Sequence, residues 1–448
     1  MMKFLNYIYI LFFVLTQGIY AEKKQDPYLD IIKPLFKERC YACHGVLKQK
    51  GKLRLDTVQF MRDKGIIEDQ ELLFRVDTDD PDEIMPPEGH ALSKSEIEAI
   101  KQWLQNGALA PENELPESEP KDHWAYKKIV KTIVPKSQHT NLIDAFLEAE
   151  QKKRGLVAQP LEEDSLLKRR LYLDLIGLPP TFEQLNEKVS IEALTDRLLS
   201  SPHYGERWGR HWMDVWRYSD WYGLGKQVRN SQKHMWHFRD WIVQSLNQDK
   251  GYDRMVMEML AGDELAPEDP SVYTATGFLA RNFFLFNRTT WLDNTVEHTS
   301  KAFLGITMNC VKCHDHKYDP LSHHDYYAMR ATFEPHWVRL DMLPGQPNFD
   351  IDAIPRVYDN EPSVETYLHR RGDPAMADKS KSIEPGVPSL FASFYNKPVE
   401  KALPLHAWAP GVRPQIQTTL IHAAKTKLKK RQKELAALAQ TEQIEQTQ

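Results

Sequence analysis

Apolar residues recur at helical spacing through most of this chain, and strand-like alternation is scarce. Residues 28–39 read as a helix with Ile31, Ile32, Leu35 and Phe36 on one face. Ser93-Lys94-Ser95-Glu96 has the form of a capping box. It opens a helix whose apolar face is Ile97, Ile100, Trp103 and Leu104, and Asn106-Gly107 marks its stop. Residues 141–154 repeat the pattern with Leu142, Ile143, Phe146 and Leu147. Further helices are predicted over 165–176, 191–199, 204–222, 234–246, 253–261 and 295–303. In the third of these, Trp208, Trp212 and Trp216 are spaced to share a face, and Arg210 to pair with Asp214. Near the end, residues 421–438 alternate Ala and Leu with Lys in coiled-coil fashion. The pattern predicts a mainly α-helical protein.

Between these segments lie punctuated stretches. Residues 111–122 open with Pro-Glu-Asn-Glu-Leu-Pro-Glu-Ser-Glu-Pro and read as an exposed acidic linker. At the start, one Lys is followed by an apolar run from Phe4 to Leu15 and by Gly18-Ile19-Tyr20-Ala21, a small residue before a cut site. A run of about a dozen apolar residues is short of the roughly 20 that span a bilayer, so the form is that of a secretory signal, with an uncleaved anchor as the alternative. No later segment is long and apolar enough to span a membrane.

Composition adds little until the cysteines. The 448 residues are 41% hydrophobic and 27% charged, with a net charge of −5 that supplies no basic face for nucleic acid. There are only 4 cysteines, and they form two close pairs. An exported chain ordinarily uses cysteines for long-range disulfides. Here each pair is followed at once by a histidine: Cys40-Tyr41-Ala42-Cys43-His44 and Cys310-Val311-Lys312-Cys313-His314.

Cys-x-x-Cys-His is the attachment pattern of haem c. Two thiols one helical turn apart can each form a thioether with a haem vinyl group, and the next residue offers its imidazole to the iron. The reading is two haems c, held by Cys40 and Cys43 and by Cys310 and Cys313, with His44 and His314 as proximal ligands. A structural zinc is the alternative, above all at the second string, where His316, His323 and His324 lie near. A redox dithiol is a further one. For the sixth ligand of the second iron the candidates are His316 or His211, with His323, His324, His298 and His203 behind them. An open sixth position is the other option, and it would permit chemistry at the iron. Asp315 or Asp319 could orient a ligand imidazole, or merely close a turn.

A helix carrying Cys-x-x-Cys-His, a loop with Ile84-Met85-Pro86-Pro87 and a closing helix with Trp103-Leu104 resemble a small class I cytochrome c. That resemblance implies Met85 as sixth ligand of the first iron, with Met61 as its competitor. More closely, the first part resembles the planctomycete-type cytochrome c module (PSCyt1). The next part resembles the uncharacterised domain that comes after it, DUF1549 (PSCyt2). The strings that carry this are His203-Tyr204-Gly205-Glu206-Arg207-Trp208, Arg210-His211-Trp212, Ala261-Gly262-Asp263 and Cys310 through Pro320, then Asp325-Tyr326-Tyr327. The division implied is a signal peptide at 1–21, a cytochrome c-like haem domain at 25–110 and a linker at 111–138. A DUF1549-like helical domain occupies 139–340, then a Pro-rich irregular region 341–415 and a coiled-coil-like helix with a polar tail 416–448.

The leading reading is a periplasmic or otherwise exported dihaem electron-transfer protein; the resemblance brings no known reaction and implies only a link to oxidative carbohydrate use. Its partners would be redox proteins, either a periplasmic dehydrogenase or a protein with a DUF1553-type domain. That domain commonly continues the chain in this family. A haem enzyme using an open position at the second iron is the competing function, and a monohaem protein with structural zinc the third.

Overall fold

The computed structural model describes residues 26–87, 91–119, 122–219, 233–281, 287–396, 399 and 402–445. The export signal read over residues 1–21 lies outside them, as does the end of the helix read over 204–222. The protein is mainly α-helical, with only two small antiparallel sheets among the described residues. It divides into two compact units, one up to Ile129 together with His316–Pro320, the other the remainder.

The first unit is a set of short helices around one apolar centre. A π-turn, Tyr28–Ile32, runs into α1 (Lys33–Arg39) and then α2 (Tyr41–His44). Next come α3 (Val58–Asp63), α4 (Glu71–Asp77) and α5 (Lys94–Gln105). Ser93 and Glu96 form the capping box that the sequence predicts for α5. Trp103 of α5 stacks on Tyr28, with ring centres 5.5 Å apart, and meets Phe36 edge-on. Its indole N–H donates to the Leu109 carbonyl, so the buried ring leaves no polar atom unpaired. Ile31, expected on the buried face, is 52% exposed, and Tyr28 takes the place inside. Tyr28, Ile32, Leu35 and Phe36 stand at i, i+4, i+7 and i+8 and share the buried side, which leaves Ile31 off it.

The start of the acidic stretch is not free chain. Glu114 accepts from the Tyr28 hydroxyl, from Lys33 Nζ and from the Val58 amide, all within 2.9 Å. The fully buried Asp56 accepts from Arg54 and from the Glu117 amide. Two carboxylates thereby tie residues 111–117 to the first unit.

The second unit begins with α6 (Leu142–Lys153), α7 (Asp164–Leu175), α8 (Phe182–Asn186) and α9 (Ile191–Leu199). The predicted apolar face of α6 stays in solvent: Leu142, Ile143, Phe146 and Leu147 are 37% to 68% exposed, and only Ala145 is buried. Then come α10 (Pro202–Val215), α11 (Trp236–Asn247) and α12 (Tyr252–Leu265), kinked at Ala261. α10 and α11 pack closely because Gly205 faces α11, where a Cβ would collide with the Val243 carbonyl. Trp212 and Trp216 stack at 4.9 Å, whereas Trp208 lies 37% exposed beside Tyr204 and His211. Arg210 pairs with Asp214 at 2.5 Å, as its spacing predicts.

Two short helices, α13 (Pro270–Tyr273) and α14 (Gly277–Ala280), lead to α15 (Arg288–Thr299) and α16 (His323–Phe333). The core of this unit gathers Phe238 and Trp241 from α11, Trp291 from α15, and Tyr326 and Tyr327 from α16.

The region read as irregular, 341–415, holds most of two hairpins. β1 (His336–Asp341) pairs with β2 (Ile354–Asp359), and β3 (Thr366–His369) with β4 (Ala377–Ile383). Asp341, fully buried, faces Arg339, Arg356 and Arg413, which pins the first hairpin to the segment before the last helix. A short α17 (Leu405–Trp408) precedes α18 (Pro414–Glu445). The last helix is longer than the 421–438 predicted, and its Leu428, Leu435 and Leu438 are exposed.

Candidate haem-attachment sites

The first string sits where α1 gives way to α2. Cys40 ends α1, its amide bonded to the Phe36 carbonyl, and its own carbonyl accepts from the amides of Cys43 and His44. The spacing therefore becomes one helical turn, with both thiols unbridged and partly accessible. Apolar packing anchors this turn: Tyr41 is buried, and Cys40 touches the core. Burial pushes the Cys40 thiol up to about 12. Cys40 itself is therefore protonated at neutral pH.

His44 is half-buried, and its Nδ1 is buried without a hydrogen-bond partner. Burial lowers its affinity for a proton, and the Leu53 and Lys50 carbonyls pull it partly back. A neutral imidazole with an orphaned ring nitrogen suits a metal ligand better than a surface residue.

Met85 lies in the loop between α4 and α5, half-buried, with its amide donating to the Arg75 carbonyl at 2.7 Å. Pro86 and Pro87 come next and restrict the loop. Its competitor Met61 is wholly buried on α3 among core side chains, which is the packing of a gap-filler. Met61→Ala is expected to cost about 2–5 kcal/mol of stability in a denaturant titration and to leave the haem spectrum unchanged.

The second string forms a tight 3₁₀ turn, Cys310–Lys312, ahead of α16. Val311 is fully buried and roots it, while Cys310, Cys313 and His314 are exposed. His314 Nδ1 lies 2.7 Å from the backbone carbonyl of Asp315. A carbonyl can only accept, so Nδ1 carries the proton and Nε2 keeps its lone pair, the tautomer a metal-bound histidine needs. On the protein side, Gly372 approaches so closely that a Cβ would stand 2.6 Å from Cys313 Sγ, at a φ of +73° that favours glycine. The β3–β4 loop is thereby moulded to the attachment turn.

The other histidines are mostly engaged. His316 Nδ1 accepts from the Asp319 amide at 2.8 Å and from Tyr318, which closes its own turn. His323 Nε2 donates to the Lys312 carbonyl at 2.8 Å. His203 pairs with Glu206, and His211 is exposed beside Trp208 on α10. Burial beside Arg217 and Arg281 pushes His298 down to about 4. Among the described residues no three His, Cys, Asp or Glu side chains converge as a metal site. The unbridged thiol pairs, the orphaned nitrogen of His44 and the prepared tautomer of His314 fit haem c.

Sequence reasoning missed the groups that hold the second turn: Asp293 stands in no motif, Tyr326 and Tyr327 were read only as part of a family string without a role, and Gly372 looks like an ordinary turn glycine. Lys312 was in plain view inside the string, but its partner was not.

A helical unit built around a Cys-x-x-Cys-His turn and a Met-Pro-Pro loop has the form of a c-type cytochrome. Residues 40–89 match the family described as Planctomycete cytochrome C, so the first module is a c-type cytochrome module, which implies haem c binding. Residues 142–337 match the family described as Protein of unknown function (DUF1549). The chain thus carries a planctomycete-type cytochrome c module followed by a DUF1549 domain, and the second Cys-x-x-Cys-His falls inside the latter. No curated protein and no solved structure matches the chain. Among the described residues no helix is long and apolar enough to cross a membrane.

Proposed function

We propose that this chain is an exported, periplasmic dihaem cytochrome that relays electrons. Cys40 and Cys43 hold one haem c, with His44 and Met85 on its iron. Cys310 and Cys313 hold the other, with His314 on its iron. When bound, haem c supplies a one-electron couple at iron. The chain's residues do the rest: the cysteines fix position, a histidine donates on one side, and the Met85 thioether favours the ferrous state at the first site.

The observation that carries this reading is the state of the cysteines. All 4 stand unbridged in two tight turns, each followed by histidine. A surface-exposed second turn supports electron exchange with a redox partner, and differing ligand sets support two potentials and hence a direction. The donor proposed is a periplasmic dehydrogenase acting on carbohydrate-derived substrates, or a protein with a DUF1553-type domain. A spectroelectrochemical titration is expected to resolve two reversible one-electron waves. A single wave, or rapid turnover of added peroxide, would speak against simple relay.

A further inference from the structure

The two attachment turns differ in what fills their middle positions. The first carries Tyr41 and Ala42, without charge, and is held by apolar packing. The second carries Lys312, whose Nζ lies 2.6 Å from Asp293 Oδ2 on α15. The other Asp293 oxygen accepts from the Tyr326 hydroxyl and lies 3.7 Å from Arg330. Arg330 pairs with Glu334 at 2.9 Å, and Glu334 in turn accepts from Thr366 and faces Arg288. The Lys312 carbonyl is held as well, by His323 Nε2 and by the Tyr327 hydroxyl at 3.2 Å. One residue inside the attachment turn is therefore bonded by side chain to α15 and by backbone to α16.

The network sets three cations, Lys312, Arg330 and Arg288, against two carboxylates, Asp293 and Glu334. The side chains of Arg330 and Glu334 are 6% and 10% exposed, and those of Lys312 and Asp293 27% and 21%. Charges this enclosed are poorly screened by salt. Reduction adds an electron at the iron, so a nearby positive charge favours it and a nearby carboxylate opposes it.

We infer that the Lys312–Asp293 ion pair positions the second attachment turn and sets the reduction potential of the haem it carries. The inference rests on the two-haem reading above. Lys312 and Asp293 are positioning residues acting through the turn and through their charge.

The test uses the full chain matured with haem, and variants Lys312→Met, Lys312→Arg and Asp293→Asn. Lys312→Met removes a cation and is expected to lower one of the two potentials. Asp293→Asn removes an anion and is expected to raise that same potential. Lys312→Arg keeps the charge and should leave it near the parent value, and the other potential should not move. A purely structural ion pair predicts no such opposition of sign, since either loss would loosen the turn alike. Unmoved potentials, or shifts of one sign in both charge-removing variants, overturn the inference. If Asp293→Asn does not accumulate folded, the lysine pair decides: a lowered potential in Lys312→Met with retention in Lys312→Arg supports it, and no change overturns it. A parent chain with a single haem overturns the two-haem reading and this inference together; two haems with unmoved potentials overturn this inference alone.

Discussion

A chain with Cys310→Ala and Cys313→Ala together is expected to carry half the haem of the parent, one per polypeptide by pyridine haemochrome assay. The thioether links are the covalent tether, and an exposed turn offers few other contacts to retain a porphyrin. Loss of the thiols should remove one redox wave and leave the other unchanged, because the Cys40-Tyr41-Ala42-Cys43-His44 string is untouched. The fold should survive, since both cysteines are exposed and Val311, which roots the turn, remains. An unchanged haem content in this double variant would remove the second site from the account.

Replacing Met85 by alanine is expected to lower the potential of the other haem strongly, within the ~0.8 V range that axial ligands command. The weak near-infrared sulfur-to-iron band should vanish with it. Half-burial in a loop tied to Arg75 and followed by two prolines gives the Met85 sulfur a restrained position at little ordering cost. Met61 cannot substitute without leaving the core, where it is fully enclosed. Survival of the band in Met85→Ala, and its loss in Met61→Ala, would reverse the assignment of the two methionines.

Much of this was legible in the residues. The α5 helix announces itself through Ser93 and Glu96, and its buried Ile100 and Trp103 fit the 3.6-residue period. The attachment strings are local in sequence, so their turns could be read directly. The hairpins could not. β4 is Ala-Asp-Lys-Ser-Lys-Ser-Ile, exposed along nearly its whole length, and β2 carries a proline, so neither shows the alternation that marks a strand. Ile31 was misplaced because Tyr28, four residues before Ile32, takes the buried side and was not counted in the apolar face. The support of the second turn was hidden for a different reason. Lys312 finds Asp293 across 19 residues, and Gly372 meets Cys313 from a separate hairpin. Such pairings arise from tertiary packing and leave no periodic trace.

Porphyrin joined covalently to both cysteine couples is the claim on which the two potentials and the electron relay depend. An intact mass spectrum of the mature chain, recorded under denaturing conditions after expression in a host competent for cytochrome c assembly, tests this most directly. The predicted result is a polypeptide heavier by two haems, with a haem on each proteolytic peptide that contains a Cys-x-x-Cys-His string. Free thiols at either couple would contradict it.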